Sequence, residues 1–268
     1  MVVNSDDMLR IHPEVRAALD SGGAVVALES TITTHGLPRP DNLAAARSAE
    51  AAVREHGAVP ATVAVRDGSL LVGLDDDELE LLAAATGIPK VSRANLAGVL
   101  AAGGWGGTTV ATTMIAAHRA GIAVFATGGI GGVHRGGESS MDISADLDEL
   151  ARTPVTVVCA GPKSILDVGR TLEALETRGV PVVAWGSDEV AGFYSRSSGY
   201  PAPLRVDGAE EAASLMLAQR AMGLDGGVLI AVPLPPDLAL PDEEVSAAVE
   251  QAEQEAAAQG VTGPASTP

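Results

Sequence analysis

Two apolar runs of strand length, Ile122–Ala126 and Val155–Ala160, each give way to a glycine-bearing loop, and that pattern constrains the chain more than any other stretch. Seven glycines fall between Gly121 and Gly137. The same loop carries Thr127, His134 and Arg135, and Asp142 and Asp146 follow it. After the second run comes Gly161-Pro162-Lys163-Ser164, where the sequence predicts the start of a helix. Glycine at strand ends lets backbone N–H groups approach an anion closely. Open α/β sheets bind ligands at the carboxyl ends of their strands. The expected active site is therefore Gly121–Leu166.

The rest of the chain alternates strand and helix signals. Helices are expected at His12–Ser21, Asn42–His56, Asp76–Ala85, Asn95–Ala102, Thr108–Ala120, Lys163–Glu176, Gly208–Met222 and Asp242–Gln259. Strands are expected at Ala24–Leu28, Val180–Trp185 and Gly227–Val232, with a hairpin, Thr62–Arg66 and Ser69–Gly73, around Asp67-Gly68. Pro89–Arg93 reads as a short strand or loop, and Thr33–Asp41, Phe193–Pro203 and Pro233–Pro241 as loops. On the final acidic helix Val245, Ala248, Val249 and Ala252 share one face. No linker divides the chain. The expectation is one α/β domain over residues 1–268, a three-layer α/β/α fold with a mostly parallel, mixed central sheet.

Composition removes several classes of function. A formal charge of −18 disfavours a nucleic-acid surface or attraction to anionic lipid. Cys159, the single cysteine, lies in an apolar strand and reads as a buried, inert thiol. The start, Met1–Arg10, is too polar for a signal peptide. The uncharged run Leu96–Ala117 is interrupted by Gly103-Gly104-Trp105-Gly106-Gly107, which argues against a spanning helix. A cytoplasmic protein is the expectation.

Among chemical groups Lys163 is the sharpest candidate. At the first turn of a helix, the positive end of the macrodipole favours a neutral amine. A neutral lysine attacks a carbonyl to form a Schiff base. Asp167, one turn on, would oppose this by pairing with it, and phosphate binding or a surface ion pair is the alternative role. Glu29 directly follows an apolar strand, which suits acid–base work, although Glu29, Ser30 and Thr31 also read as a cap on the loop. Asp142, Ser144 and Asp146 offer hard oxygen ligands for manganese or magnesium, or simply an acidic helix start. Lys90, Arg93, His134 and Arg135 would suit a phosphate pocket in this acidic chain, or else be scattered surface charges. Gly129–His134 has His where a dinucleotide loop needs its third glycine. Gly161–Ser164 has Pro where a nucleotide triphosphatase loop needs Gly. His35, His56 and His118 form no pattern with other ligands.

Several segments, in order along nearly the whole chain, resemble the pseudouridine-5′-phosphate glycosidase family, also called indigoidine synthase A-like. They are Ala27–Thr31, His35–Pro38, Gly57–Val65, Lys90–Arg93, Gly107–Ala111, Phe125–Gly136, Met141–Leu147, Cys159–Leu166 and Phe193–Arg196. The resemblance implies reversible cleavage of the C–C glycosidic bond of pseudouridine 5′-phosphate to uracil and ribose 5-phosphate. A carbon leaving atom has no lone pair to protonate, so the paired carboxylates of ordinary glycosidases do not suffice. By resemblance, Lys163 forms an imine with C1′ of ring-opened ribose and Glu29 moves protons. Asp142 corresponds to the ligand of one Mn2+ per subunit, and Ser144, Ala145 and Asp146 to a substrate-contacting run. Lys90 and Val110 match substrate-binding positions, and we add Thr109, Thr127 and His134 for phosphate contact. A homotrimer is also implied.

The sequence departs from the family pattern at Ala94-Asn95, where a basic residue and an acid are usual. It also stops at Gly263–Pro268, where members continue into an apolar helix and an Asn-rich helix that helps close the site. A shorter end would expose apolar surface and weaken activity. Two further functions are weighed beside the lyase: a sugar-phosphate-binding remnant without turnover, and a sugar or nucleoside kinase, which the failed nucleotide motifs disfavour.

Overall fold

The computed structural model describes residues 8–259. The expectation for Met1–Arg10 lies largely outside those residues, and that for Gly263–Pro268 wholly so. The chain divides into two compact units, Met1–Ala126 and Thr127–Pro268. Each is α/β, as expected.

The first unit runs β1 (Leu9–Ile11), α1 (Pro13–Asp20), β2 (Val25–Leu28), a π-helical turn (Ile32–Gly36), α2 (Asp41–Glu55), β3 (Val59–Arg66) and β4 (Ser69–Val72). It continues with α3 (Asp76–Ala84), β5 (Lys90–Val91), α4 (Arg93–Ala102), β6 (Trp105–Thr108), α5 (Val110–Ala120) and β7 (Val124–Ala126). The β1–β4, β2–β3, β2–β7 and β5–β6 pairs are parallel, whereas β3 is antiparallel to β4 and β6. The sheet is mixed because β3 runs antiparallel to both β4 and β6. At the β3–β4 hairpin, Asp67 and Gly68 have φ values of 48° and 83°, which give the turn the twist that adjacent strands need. Asp75 and Glu78 close a capping box on α3. Thr109 caps α5, which ends at left-handed Gly121. The uncharged run Leu96–Ala117 is shared among α4, β6 and α5. No helix among the described residues is long and apolar enough to cross a membrane.

With so few aromatic residues, small side chains let the strands lie under the helices. Ala27, Ala61, Val63 and Val65 are fully buried, and Leu71, Leu79, Leu82, Met114 and Phe125 fill the remaining space. Each large side chain contributes about 1.5–3 kcal/mol of burial.

The second unit runs β8 (Val133–His134), α6 (Gly137–Ser140), α7 (Ala145–Leu150), β9 (Thr156–Cys159), β10 (Leu166–Asp167) and α8 (Val168–Thr177). Then come β11 (Val182–Trp185), β12 (Leu204–Val206), α9 (Ala209–Ala221), β13 (Val228–Ala231) and α10 (Asp242–Ala258). Strands β9, β13, β11 and β12 pair in that order and all in parallel. The near-continuous apolar sequences of β9, β11 and β13 suit a sheet covered on both faces. Cys159 is buried, as expected.

Two expectations fail here. The helix expected at Lys163 begins five residues later, at Val168. Residues 160–167 instead pair with the glycine-rich loop, and Asp167 caps α8 by accepting from the Arg170 N–H. On α10, Val249 is buried and Val245 half-buried, but Ala248 and Ala252 are exposed, so the helix buries a narrower strip than its pattern suggests.

Candidate active site

In the first unit Glu29 and Thr109 directly follow the carboxyl ends of β2 and β6, Val110 opens α5, and Lys90 opens β5. Glu29 follows β2 directly and accepts a hydrogen bond from the Thr31 hydroxyl. Its neighbour Ser30 ties this strand end to the end of β6. The Ser30 Oγ accepts the Thr108 N–H at 2.9 Å, and the Thr108 Oγ1 donates to Val63 O at 2.8 Å. Lys90, half-buried, pairs with Gly107 across β5 and β6. The Thr109 N–H donates to Val91 O at 3.0 Å, so Thr109 and Val110 start α5 beside the end of β5. The Thr109 hydroxyl already accepts the Thr112 N–H, and Val110 is buried. Glu29, Thr109 and Val110 thus lie just beyond the ends of β2 and β6, with Lys90 on neighbouring β5.

Sequence reasoning passed over His35. Its Nδ1 is 2.7 Å from Thr34 Oγ1, and its Nε2 is 3.2 Å from Ile88 O, two residues before Lys90. Burial pushes the imidazole below the ordinary histidine value; the bond at Ile88 opposes this and the Lys90 charge reinforces it. The available signal was the His35–Pro38 segment itself, which reads as loop chemistry because a π-helical turn has no distinct sequence period.

In the second unit the glycine-rich loop runs alongside the segment after β9. The Thr127 N–H donates to Val158 O, the Ala160 N–H to Gly128 O, and the Ile130 N–H to Gly161 O, at 3.0–3.2 Å. The Lys163 N–H then donates to Ile130 O, and the Leu166 N–H to Lys163 O. Half-buried Lys163 is therefore held by backbone pairing rather than by a helix terminus. Gly129 and Gly161 are required by close approach: a Cβ at Gly129 would lie 2.5 Å from the Phe193 ring, and one at Gly161 would lie 2.2 Å from Ala191 O.

Asp146 and Ser144 hold the middle of this loop. Ser144 caps α7 by accepting from the Asp146 N–H, and its own N–H donates to Gly132 O. The Asp146 carboxylate is buried and accepts the Gly131 N–H. Ala145 is the first residue of α7. The His134 N–H donates to Asp142 O at 3.0 Å, and His134 Nδ1 stands 3.9 Å from the Asp142 carboxylate. Thr127, His134, Asp142, Ser144, Ala145, Asp146 and Lys163 thus belong to one connected loop system. Asp167, the expected partner of Lys163, spends its carboxylate on Arg170.

No group of three or more His, Cys, Asp or Glu among the described residues is arranged to hold a metal ion. Asp142 is a partly exposed carboxylate with the His134 imidazole 3.9 Å away.

Comparison with known proteins places the chain among enzymes. The family model of indigoidine synthase A like protein matches residues 14–268, and the chain belongs to that family. It is 57% identical over 261 residues to pseudouridine-5′-phosphate glycosidase of Methylobacterium nodulans, covering 97% of this chain and 77% of the relative. It is 56% identical to that of a Jannaschia species, covering 97% and 86%. The crystal structure of prealnumycin C-glycosynthase AlnA in complex with ribulose 5-phosphate is similar with a TM-score of 0.88, at 43% identity, over 98% of this chain and 85% of that one. An indigoidine synthase A-like protein from Thermotoga maritima gives 0.84 at 32% identity, over 94% and 82%.

Proposed function

We propose that the protein reversibly cleaves the C–C glycosidic bond of pseudouridine 5′-phosphate, giving uracil and ribose 5-phosphate. The observation that carries this reading is the placement of Lys163: a half-buried lysine fixed through its backbone against a glycine loop at a strand end, in a chain more than half identical to enzymes of that name. The sugar-phosphate complex of the AlnA structure supports the substrate class.

The Lys163 nitrogen adds at C1′ as the ribose C1′–O4′ bond opens, with Glu29 delivering a proton to the released oxygen. The nitrogen lone pair then forms a C=N bond while the electron pair of the C1′–C5 bond passes to uracil, which takes up a proton. Water hydrolyses the resulting imine to ribose 5-phosphate and restores the amine. Lys90, Val110, Thr109, Thr127 and His134, with the Ser144–Asp146 run, bind the sugar phosphate. Asp142 would hold a manganese ion, which supplies Lewis-acid ordering of water and substrate oxygens when bound. The assembly is a homotrimer, tested by light scattering.

Incubation with uracil, ribose 5-phosphate and manganese tests the function. Formation of pseudouridine 5′-phosphate supports the lyase. Binding without product indicates a sugar-phosphate-binding protein, and a requirement for ATP indicates a kinase; either defeats the proposal.

A further inference from the structure

The π-helical turn is fastened to the first unit on both sides of Lys90. The His35 Nε2 lies 3.2 Å from Ile88 O, and a carbonyl only accepts, so Nε2 carries the ring hydrogen. Thr34 makes the other attachment. Its Oγ1 packs so tightly over Gly107 that a Cβ there would sit 2.1 Å away. Gly107 is the register partner of Lys90, and its N–H donates to Pro89 O at 3.0 Å. Thr34 Oγ1 is also 2.9 Å from Ser30 O, which joins the same turn to the residue after Glu29. Strand β5 is only two residues long, so the ladder alone gives Lys90 little support. Isolated π turns in proteins are frequent at functional positions.

We propose that His35 is a positioning residue for Lys90, pinning the π-helical turn to the backbone just before that lysine and so fixing where its ammonium meets a phosphorylated ligand. This rests on the sugar-phosphate reading of the site. Lysine brings a flexible four-carbon stem and a compact charge, so its usefulness depends on where its backbone is held.

The test is a double-mutant cycle read by calorimetric binding of ribose 5-phosphate, with turnover and thermal melting measured on the same full-length proteins. His35→Ala is expected to weaken ribose 5-phosphate binding about tenfold and raise KM, with kcat changed less than about threefold. In a Lys90→Ala background the same substitution is expected to change affinity less than about twofold, because positioning acts through the missing amine. His35→Gln, whose amide can donate to Ile88 O, recovers most of the affinity. If His35→Ala melts before it can be measured, His35→Phe keeps the bulk without the donor and takes its place in the cycle. Equal losses in both backgrounds, or a lower kcat at unchanged KM, overturn the proposal. Wild-type protein that neither binds ribose 5-phosphate nor turns over defeats the reading of the site itself, which is a distinguishable failure.

Discussion

The Asp146 carboxylate accepts the backbone N–H of Gly131 at 2.9 Å, joining the first turn of α7 to the middle of the glycine-rich loop. A Cβ at Gly131 would lie 2.2 Å from Ser144 Oγ and 2.8 Å from Asp146 Oδ2, so the loop and the helix start are in contact. The same carboxylate that resembles a substrate contact in sequence also shapes the loop.

Asp146→Ala is therefore expected to cost about 1–3 kcal/mol of stability, since it leaves the half-buried Gly131 N–H without its charged partner. Ser144→Ala, which removes only a cap, is expected to cost about 1 kcal/mol. Urea melts of both variants check the order, and Ser144→Ala costing more than Asp146→Ala would contradict it.

Glu50 gives the clearest pH dependence. Burial raises its carboxyl above the ordinary value, partly offset by the Thr62 hydroxyl that donates to it and by Arg54 nearby. A raised folded value means that folding favours the proton. The contribution is fully present below the unfolded value and is lost as pH rises through the folded one. Glu50→Gln, which stays neutral, is expected to be more stable than wild type at pH 7.5, with the gap closing by pH 4. A gap that is constant or widens on acidification would contradict this.

Removal of divalent metal with a chelator is expected to reduce turnover at least about tenfold, with manganese restoring it. Asp142→Ala is expected to lose that response while keeping a wild-type melting temperature in the absence of metal. Full stimulation by manganese in Asp142→Ala would show that another residue holds the ion.

Much of the architecture could be read because its signals are local. Asp67-Gly68 announced the hairpin, and the runs ending at Leu28, Ala126 and Ala160 announced strands with candidate site residues beyond their ends. What escaped depends on partners distant in sequence. Strand β1 is three residues pairing with β4, and β6 is Trp-Gly-Gly-Thr, whose glycines read as a loop until β3 and β5 are placed beside them. The sequence predicts a helix start at Gly161-Pro162-Lys163-Ser164, but Leu166 pairs with His134 in a two-residue ladder. His35 was silent for the same reason: its partner Ile88 belongs to another segment.

The proposed reaction requires Lys163 to form a covalent adduct with the sugar. Borohydride reduction in the presence of ribose 5-phosphate, followed by intact mass and peptide mapping, measures this directly. A stable sugar adduct on the peptide containing Lys163, absent from Lys163→Ala, is the expected result. An adduct that persists in Lys163→Ala, or turnover retained by that variant, would contradict it.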